Sequence, residues 1–202
     1  MSAARDVVLG RVRAALTHAE KVPLDAVPRT YADQRPAVDL VGLFCERVAD
    51  YRATVQRVPA ADLHHAIAVA ARDAEARRLL VSEPAWAAAL AEEFEVVDES
   101  ADLDQVDAVV TSAAVGVAST GTIVLDHGPG QGRRAVTLVP DVHVCIVTEE
   151  QVADDVPAAL TRLDPARPLT FISGPSATSD IELNRVEGVH GPRTLHVLVV
   201  GP

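Results

Sequence analysis

Three glycine-rich segments of this 202-residue chain carry side chains that could do chemistry. The first, residues 116–134, places Ser119-Thr120-Gly121-Thr122 at the entrance of an apolar strand and ends in Arg133-Arg134. Such a turn can direct backbone N–H groups at an anion, and paired arginines can clamp one. The alternative is a hairpin loop with solvated arginines, in which the glycines only serve the turn. The predicted ligand-binding residues here are Thr120, Gly121, Thr122, Arg133 and Arg134.

The second segment, residues 171–187, runs from an apolar strand into Ser173-Gly174-Pro175-Ser176. We expect a short helix from Thr178 or Ser179, whose first N–H groups would suit a phosphate or carboxylate. Asp180 and Glu182 could act as a catalytic acid and base. The alternative is that Glu182 completes a capping box and Asp180 favours the helix dipole. The predicted ligand-binding residues are Ser173, Gly174 and Ser176.

The third segment, residues 188–192, holds His190 between Gly188 and Gly191. The glycines let the backbone bend tightly around the imidazole, which could titrate or hydrogen-bond a substrate oxygen. The alternative is a histidine that satisfies a neighbouring carbonyl. We expect His190 to be catalytic, together with Asp180 and Glu182, and Gly188 and Gly191 to line the ligand.

The remaining chemistry-bearing residues predict no cofactor and no metal. Cys45 and Cys145 are the only cysteines, too few for an iron–sulfur cluster or a structural zinc. The single lysine, Lys21, leaves no Walker A loop and a poor Schiff-base candidate. His143 alternates with apolar residues on a strand, where we expect it to partner polar groups of the sheet. His127 lies at a loop edge without the spacing of metal ligands.

The charge and the apolar pattern exclude two classes of partner. The chain has 18 basic and 29 acidic side chains, a net charge of −11, which disfavours nucleic acid. No stretch reaches the roughly 18 consecutive apolar residues of a membrane span, and the N-terminus lacks a signal-peptide core. We expect a soluble, cytoplasmic protein.

Apolar spacing predicts a helical first part followed by an α/β region. Helical periodicity predicts helices over residues 3–19, 40–51 and 63–74. A Pro-rich connector follows the first helix, so residues 1–36 form an N-terminal helical arm and residues 37–202 the α/β domain.

From residue 77, short apolar strands alternate with helices, which predicts a mainly parallel sheet covered on both faces. Closely spaced strands near residues 121–147 predict a mixed portion. A helix is expected from Pro84, and another over 149–163, capped at Thr148 and divided at Pro157. The predicted strands are 78–82, 94–97, 106–112, 121–125, 135–139, 142–147, 169–173 and 195–200.

Four motifs together resemble the LUD-domain family, to which lactate utilization protein C belongs. They are G-V-A-S-T-G-T-I-V-L, L-V-P-D-V-H-V-C-I-V, I-S-G-P-S-A-T-S-D-I-E and V-E-G-V-H-G-P, in the family's order within residues 106–201. The resemblance implies a three-layer fold of the NagB/RpiA/CoA-transferase type. It also implies a role in L-lactate oxidation to pyruvate beside partner proteins that carry iron–sulfur clusters. Ser119 stands where the family usually has a glutamate, so no role for that acid carries over.

Two functions follow as expectations. The first is a non-redox subunit of an L-lactate utilization system that works with iron–sulfur partner proteins. The alternative is a stand-alone enzyme or ligand-binding protein of the CoA-transferase-like fold that takes a small phosphorylated or carboxylated metabolite. A third hypothesis is a scaffold without a ligand. A homo-oligomer is compatible with all three hypotheses. Whether the chain is itself an enzyme stays open.

Overall fold

The computed structural model describes residues 3–19, 23–27, 39–178, 186–187 and 191–202. The chain separates into two compact units, Met1–Asp33 and Gln34–Pro202. The first unit contains helix α1, Ala3–Ala15. The predicted helix over 3–19 ends early: residues 16–18 form a turn, and the Thr17 hydroxyl donates to the carbonyl of Arg13 at 3.1 Å. A side chain that bonds the backbone in this way competes with helix propagation.

Local hydrogen bonds explain where the helices of the second unit begin. The Asp39 carboxylate accepts from the Gly42 N–H at 2.8 Å and caps the first of them. Pro84 lies in the first turn of its helix, as predicted, where its missing N–H costs nothing. Asp155 caps the last one through the Ala158 N–H, at 2.8 Å. The helices are α2 (Leu40–Asp50), α3 (Leu63–Asp73), α4 (Pro84–Leu90) and α5 (Val156–Leu160).

Twelve strands are described. In chain order they are β1 (Thr54–Pro59), β2 (Arg78–Val81), β3 (Glu95–Val97), β4 (Ala108–Ser112), β5 (Val115–Val117), β6 (Thr122–Leu125), β7 (Val142–Thr148), β8 (Val152–Ala153), β9 (Thr170–Ile172), β10 (Ala177–Thr178), β11 (Val186–Glu187) and β12 (Thr194–Gly201).

Six of these strands form one fully parallel sheet, in the order β1-β12-β7-β4-β2-β3. Alternate residues of β7 point to opposite faces, as the period of a strand requires. Val144 packs on the face that carries Ile67 of α3. Cys145 packs on the other face, with Phe44 of α2 and Ile123 of β6. Both faces are therefore buried, which confirms the α/β class with a mainly parallel sheet.

A second sheet lies on the α2 face and has the order β8-β5-β6-β9. The pairs β5–β6 and β6–β9 are antiparallel, and β5–β8 is parallel. A mixed portion is therefore present, but of the strands predicted over residues 121–147 only β6 belongs to it, since β7 lies in the parallel sheet. Its outer side packs on α5, where Val117 and Val124 meet Ala159.

The predicted strand over 135–139 is wrong, because Arg134–Thr137 forms a short 3-10 helix. The Thr137 hydroxyl donates to the Arg134 carbonyl at 3.2 Å, and the Val136 N–H donates to the Arg133 carbonyl at 3.0 Å. Local bonds of this kind compete with a strand ladder. Val136 is buried while Leu138 and Val139 are exposed, so the apolar run does not lie between two layers.

The predicted helix over 149–163 is also wrong in extent. The Thr148–Gln151 capping box is present but closes only a 3-10 turn, Glu149–Gln151, before β8. Pro157 then lies in the first turn of α5, where proline is tolerated, so it starts that helix rather than dividing a longer one.

Two further differences concern strands. The helix expected from Thr178 does not begin there, because β10 pairs antiparallel with β11, and Ser179 lies outside the described residues. Strand β1 was not predicted. It is an edge strand on which Val58 is buried and most residues are exposed, so its apolar alternation is weak.

Candidate functional site

A cavity of about 260 Å³ lies where four elements of the second unit meet. They are the 3-10 helix Arg134–Thr137, the end of β9 and the first residues of β7 and β12. The two parallel strands are neighbours, and His143 stands in register with Leu195. The lining residues are Arg134, Thr137, Leu138, His143, Thr170, Phe171, Ile172, Ser173, Gly174, Pro175, Ser176, Gly191, Pro192 and Leu195.

The turn after β9 forms one wall of this cavity. Gly174 has φ of +88°, and a Cβ at this position would lie 2.6 Å from Tyr51 Cβ and 2.9 Å from the Tyr51 carbonyl oxygen. Only glycine lets the chain pass so close to the end of α2. The Ser176 N–H then donates to the Pro192 carbonyl at 2.8 Å, which fixes the turn beside Gly191. Three of the predicted ligand-binding residues, Ser173, Gly174 and Ser176, therefore line the same cavity as Gly191.

A chain of three hydroxyls connects the first segment with the second. Thr120 Oγ1 lies 2.8 Å from Thr122 Oγ1, which lies 2.9 Å from Ser173 Oγ. The antiparallel pairing of β6 with β9 brings the last two together. Thr120 and Thr122 stand behind Ser173, which alone of the three lines the cavity.

Gly121 has a different task from its neighbours. Its φ is +60°, and a Cβ there would lie 2.5 Å from the carbonyl carbon of Arg47. The residue lets the start of β6 pack directly on the backbone of α2. This is a structural reason for a glycine that the sequence marked as ligand-binding.

The two adjacent arginines have separate environments. Arg134 is exposed and lines the cavity, and no carboxylate in the described part of the chain pairs with it. Arg133 binds Glu99 instead: its Nη2 donates to the Glu99 carbonyl at 3.3 Å, and Nε lies 3.9 Å from Oε2. The predicted arginine pair is thus one cationic group at the cavity and one ion pair outside it.

His143 is a cavity residue that sequence reasoning placed only as a partner of sheet polar groups. Its Nε2 lies 2.8 Å from Thr111 Oγ1, which confirms that expectation, yet the ring also lines the cavity. Burial lowers the pKa of His143 to about 4, so the imidazole is neutral near pH 7. The pairing of this buried histidine with a threonine on the neighbouring strand can be predicted only when the order of the strands in the sheet is known.

The glycine-rich loop between β6 and the 3-10 helix uses its polar groups internally. The Gln131 Oε1 accepts from the N–H groups of Asp126 and His127, at 2.7 and 3.1 Å. Arg167 Nη1 donates to Asp126 Oδ2 at 2.8 Å. His127 binds the Gly132 carbonyl through Nδ1 and Thr170 Oγ1 through Nε2, so neither ring nitrogen is available to a metal.

The predicted catalytic residues His190, Asp180 and Glu182, and the predicted ligand-binding residue Gly188, lie outside the described residues. Among the residues that are described, no group of three or more His, Cys, Asp or Glu side chains has the arrangement of a metal site. Within the same part of the chain, no helix combines the length and apolarity needed to cross a membrane.

The fold is that of an α/β protein with a cavity at one end of its mainly parallel sheet. The family model of the LUD domain matches residues 45–200. The chain belongs to the LUD-domain family.

Similar proteins agree with this assignment. Over 172 residues the chain is 46% identical to lactate utilization protein C of Deinococcus radiodurans, a match that covers 81% of this chain and 80% of that protein. It is 37% identical over 107 residues to lactate utilization protein C of Halalkalibacterium halodurans, covering 48% of this chain and 45% of that protein. A crystal structure of a DUF162 family protein from Deinococcus radiodurans at 1.70 Å resolution superposes with a TM-score of 0.66 at 40% identity. That match covers 80% of this chain and 96% of the crystallised chain.

Proposed function

We propose that this protein is a non-redox subunit of an L-lactate utilization system, which oxidises lactate to pyruvate together with iron–sulfur partner proteins. Membership of the LUD-domain family and two relatives named lactate utilization protein C support the proposal. The chain has two cysteines, Cys45 and Cys145, whereas iron–sulfur clusters are commonly held by four thiolates. The electrons would therefore travel through the partners.

The cavity is the part of this subunit that we propose to bind a small carboxylate. Arg134 carries the proposal, because it lines the cavity and pairs with no carboxylate of the described residues. A guanidinium can hold a carboxylate through two parallel N–H···O bonds, which fixes its orientation as well as its charge. The Ser173 hydroxyl lines the same cavity and has hydrogen-bonding capacity beyond its contact with Thr122.

The proposal also assigns roles to predicted residues whose sequence positions lie between Ser176 and Gly191. Ser176 and Gly191 both line the cavity. His190, Asp180 and Glu182 belong to that stretch of sequence, and we assign them the catalytic roles, with Gly188 among the ligand-binding residues.

A phosphorylated ligand, one of the two ligand classes in the alternative function, has less support from the contacts. The dianion would favour two arginines, and Arg133 is engaged with Glu99. One available arginine matches the single charge of a carboxylate.

The test is an anaerobic pull-down of the tagged chain from its native host, with the eluate assayed for iron and for L-lactate-dependent dye reduction. Arg134→Ala should retain the iron-bearing partners and lose most of the dye reduction. Arg133→Ala is the matched control, since it removes the neighbouring arginine outside the cavity, and should behave like the unmodified chain. His190→Ala tests the proposed catalytic residue in the same assay.

An eluate without iron and without lactate-dependent activity would contradict the complex. Equal activity of the Arg134→Ala and Arg133→Ala proteins would contradict the binding role of the cavity while leaving the complex in place.

A further inference from the structure

His143 presents an unused hydrogen-bonding atom to the cavity. The residue is 1% exposed and stands on the face of β7 that points towards the second sheet. Nε2 is engaged by Thr111 Oγ1 at 2.8 Å, and Nδ1 makes no hydrogen bond with the described part of the chain. Because His143 lines the cavity, a ligand or a water molecule there can supply a partner.

Thr111 decides which kind of partner Nδ1 can take. Thr111 Oγ1 lies 2.8 Å from His143 Nε2 and 3.9 Å from Cys145 Sγ, and its rotatable hydroxyl can donate to either of them. When the hydroxyl donates to Cys145, its oxygen accepts from His143, and the ring then carries its proton on Nε2 and a lone pair on Nδ1. Thr111 and Cys145 are fully buried, so water does not compete for this arrangement.

The charge state of the ring does not disturb this assignment. Burial lowers the pKa of His143 to about 4 and raises the pKa of the Cys145 thiol to about 12. Both groups are therefore neutral between about pH 6 and about pH 9. Besides hydroxyl groups such as that of Ser173, the described lining of the cavity therefore includes a cation, Arg134, and a neutral imidazole, His143.

We propose that His143 is a ligand-binding residue whose Nδ1 accepts a hydrogen bond from the hydroxyl of a 2-hydroxy carboxylate. This inference rests on the proposed function, because the carboxylate of the same molecule meets Arg134. Thr111 is a positioning residue that holds the imidazole in the accepting tautomer. A 2-oxo acid offers only lone pairs at the corresponding oxygen, and two acceptors repel. The cavity therefore distinguishes a hydroxy acid from its oxo acid.

Calorimetric titration of the full chain with L-lactate, pyruvate and propionate tests this assignment. Propionate keeps the carboxylate and lacks an oxygen at C2, so it measures the Arg134 contribution by itself. We expect L-lactate to bind about ten-fold more tightly than propionate, the effect of one net hydrogen bond, and pyruvate to bind no more tightly than propionate.

The matched variant combines His143→Phe with Thr111→Val, so that neither partner of the buried pair is left unsatisfied. It should bind propionate as the unmodified chain does, which shows that the cavity is folded, and it should lose the preference for L-lactate. Thr111→Ser, which keeps the hydroxyl, should retain that preference.

Nitrogen NMR of histidine-labelled protein should show His143 protonated on Nε2. A proton on Nδ1, or equal affinities of the unmodified chain for L-lactate and propionate, would overturn the role of His143 and leave carboxylate binding intact. Failure of all three acids to bind would overturn the proposed function with it.

Discussion

Two loops follow neighbouring strands of the second sheet and have similar compositions. Their polar groups are used in different ways. The loop of residues 126–132 follows β6, and the turn Ser173-Gly174-Pro175-Ser176 follows β9, its antiparallel partner. Both contain glycine at positive φ, at Gly130 and Gly132 in the first and at Gly174 in the second. Arg133 and Arg134 follow the first loop, and the second contains the hydroxyl groups of Ser173 and Ser176. Both kinds of group can bind anions.

The difference is where their polar groups are used. In the first loop, Gln131, Asp126 and Arg167 bond to one another or to the loop backbone, and Arg133 pairs with Glu99. In the second, the turn is held by its backbone, and Ser173 faces a cavity together with Arg134 and His143. A loop whose polar groups bond to one another contributes stability, whereas a loop whose polar groups line a cavity can contact a ligand.

Among substitutions that test this difference between the loops, the largest effect on stability is expected at Gln131, which is buried. Gln131→Ala removes the acceptor of two backbone N–H groups and the donor to Asp126 Oδ1 at 2.7 Å. Unsatisfied buried groups cost about 1–3 kcal/mol each, so the free energy of unfolding should fall by about 2–4 kcal/mol. Urea denaturation measures this change. A loss of carboxylate affinity without a loss of stability would show that the loop belongs to the binding site.

The next largest effect is the pH dependence of the free energy of unfolding, which comes from His143 in the cavity. The pKa of His143 is about 4 in the folded protein and 6.5 as its ordinary value. Between these values the unfolded chain binds a proton that the native state does not, so this contribution is complete above about pH 6.5 and is lost as the pH falls towards 4. The full difference is about 3 kcal/mol.

His143→Asn, which cannot titrate, is the matched variant for that measurement. The difference in unfolding free energy between pH 7 and pH 4.5 should be smaller in the variant than in the unmodified chain. Identical pH profiles would mean that the pKa of His143 is the same in the folded and unfolded chains, which would contradict the lowering of that pKa by burial.

Arg134 should affect affinity and leave stability unchanged. Hydrogen bonds to charged groups contribute about 1.5–3 kcal/mol, so Arg134→Ala should weaken L-lactate binding about ten- to one-hundred-fold. Because the side chain is exposed and binds no described carboxylate, we expect no measurable change in unfolding free energy. Calorimetry and urea denaturation on the same samples separate the two quantities.

Arg133 should show the smallest effect of all. Its ion pair with Glu99 is exposed at the surface, and such pairs contribute less than about 1 kcal/mol. Arg133→Ala should therefore keep both the L-lactate affinity and nearly all of the stability. A loss of affinity similar to that of Arg134→Ala would mean that both arginines bind the ligand. The two loops would then not differ in how their polar groups are used.

Elements with local or periodic signals could be predicted from the sequence. The buried strands β4, β7 and β12 were predicted from apolar runs, and α4 from Pro84 in its first turn. Burial on both faces makes a parallel strand apolar at most positions, so the pattern is visible without knowing its neighbours. The motifs of residues 106–201 were sufficient to suggest the family.

Only the tertiary structure decided which polar groups are used and which are available. Thr111 and His143 are 32 residues apart, and Thr122 and Ser173 are 51 apart. Arg133 and Arg134 are adjacent in sequence and differ because Glu99 reaches only the first of them. A hydrogen bond requires two atoms within about 3 Å, and that distance follows from strand order and register, which composition and spacing do not specify.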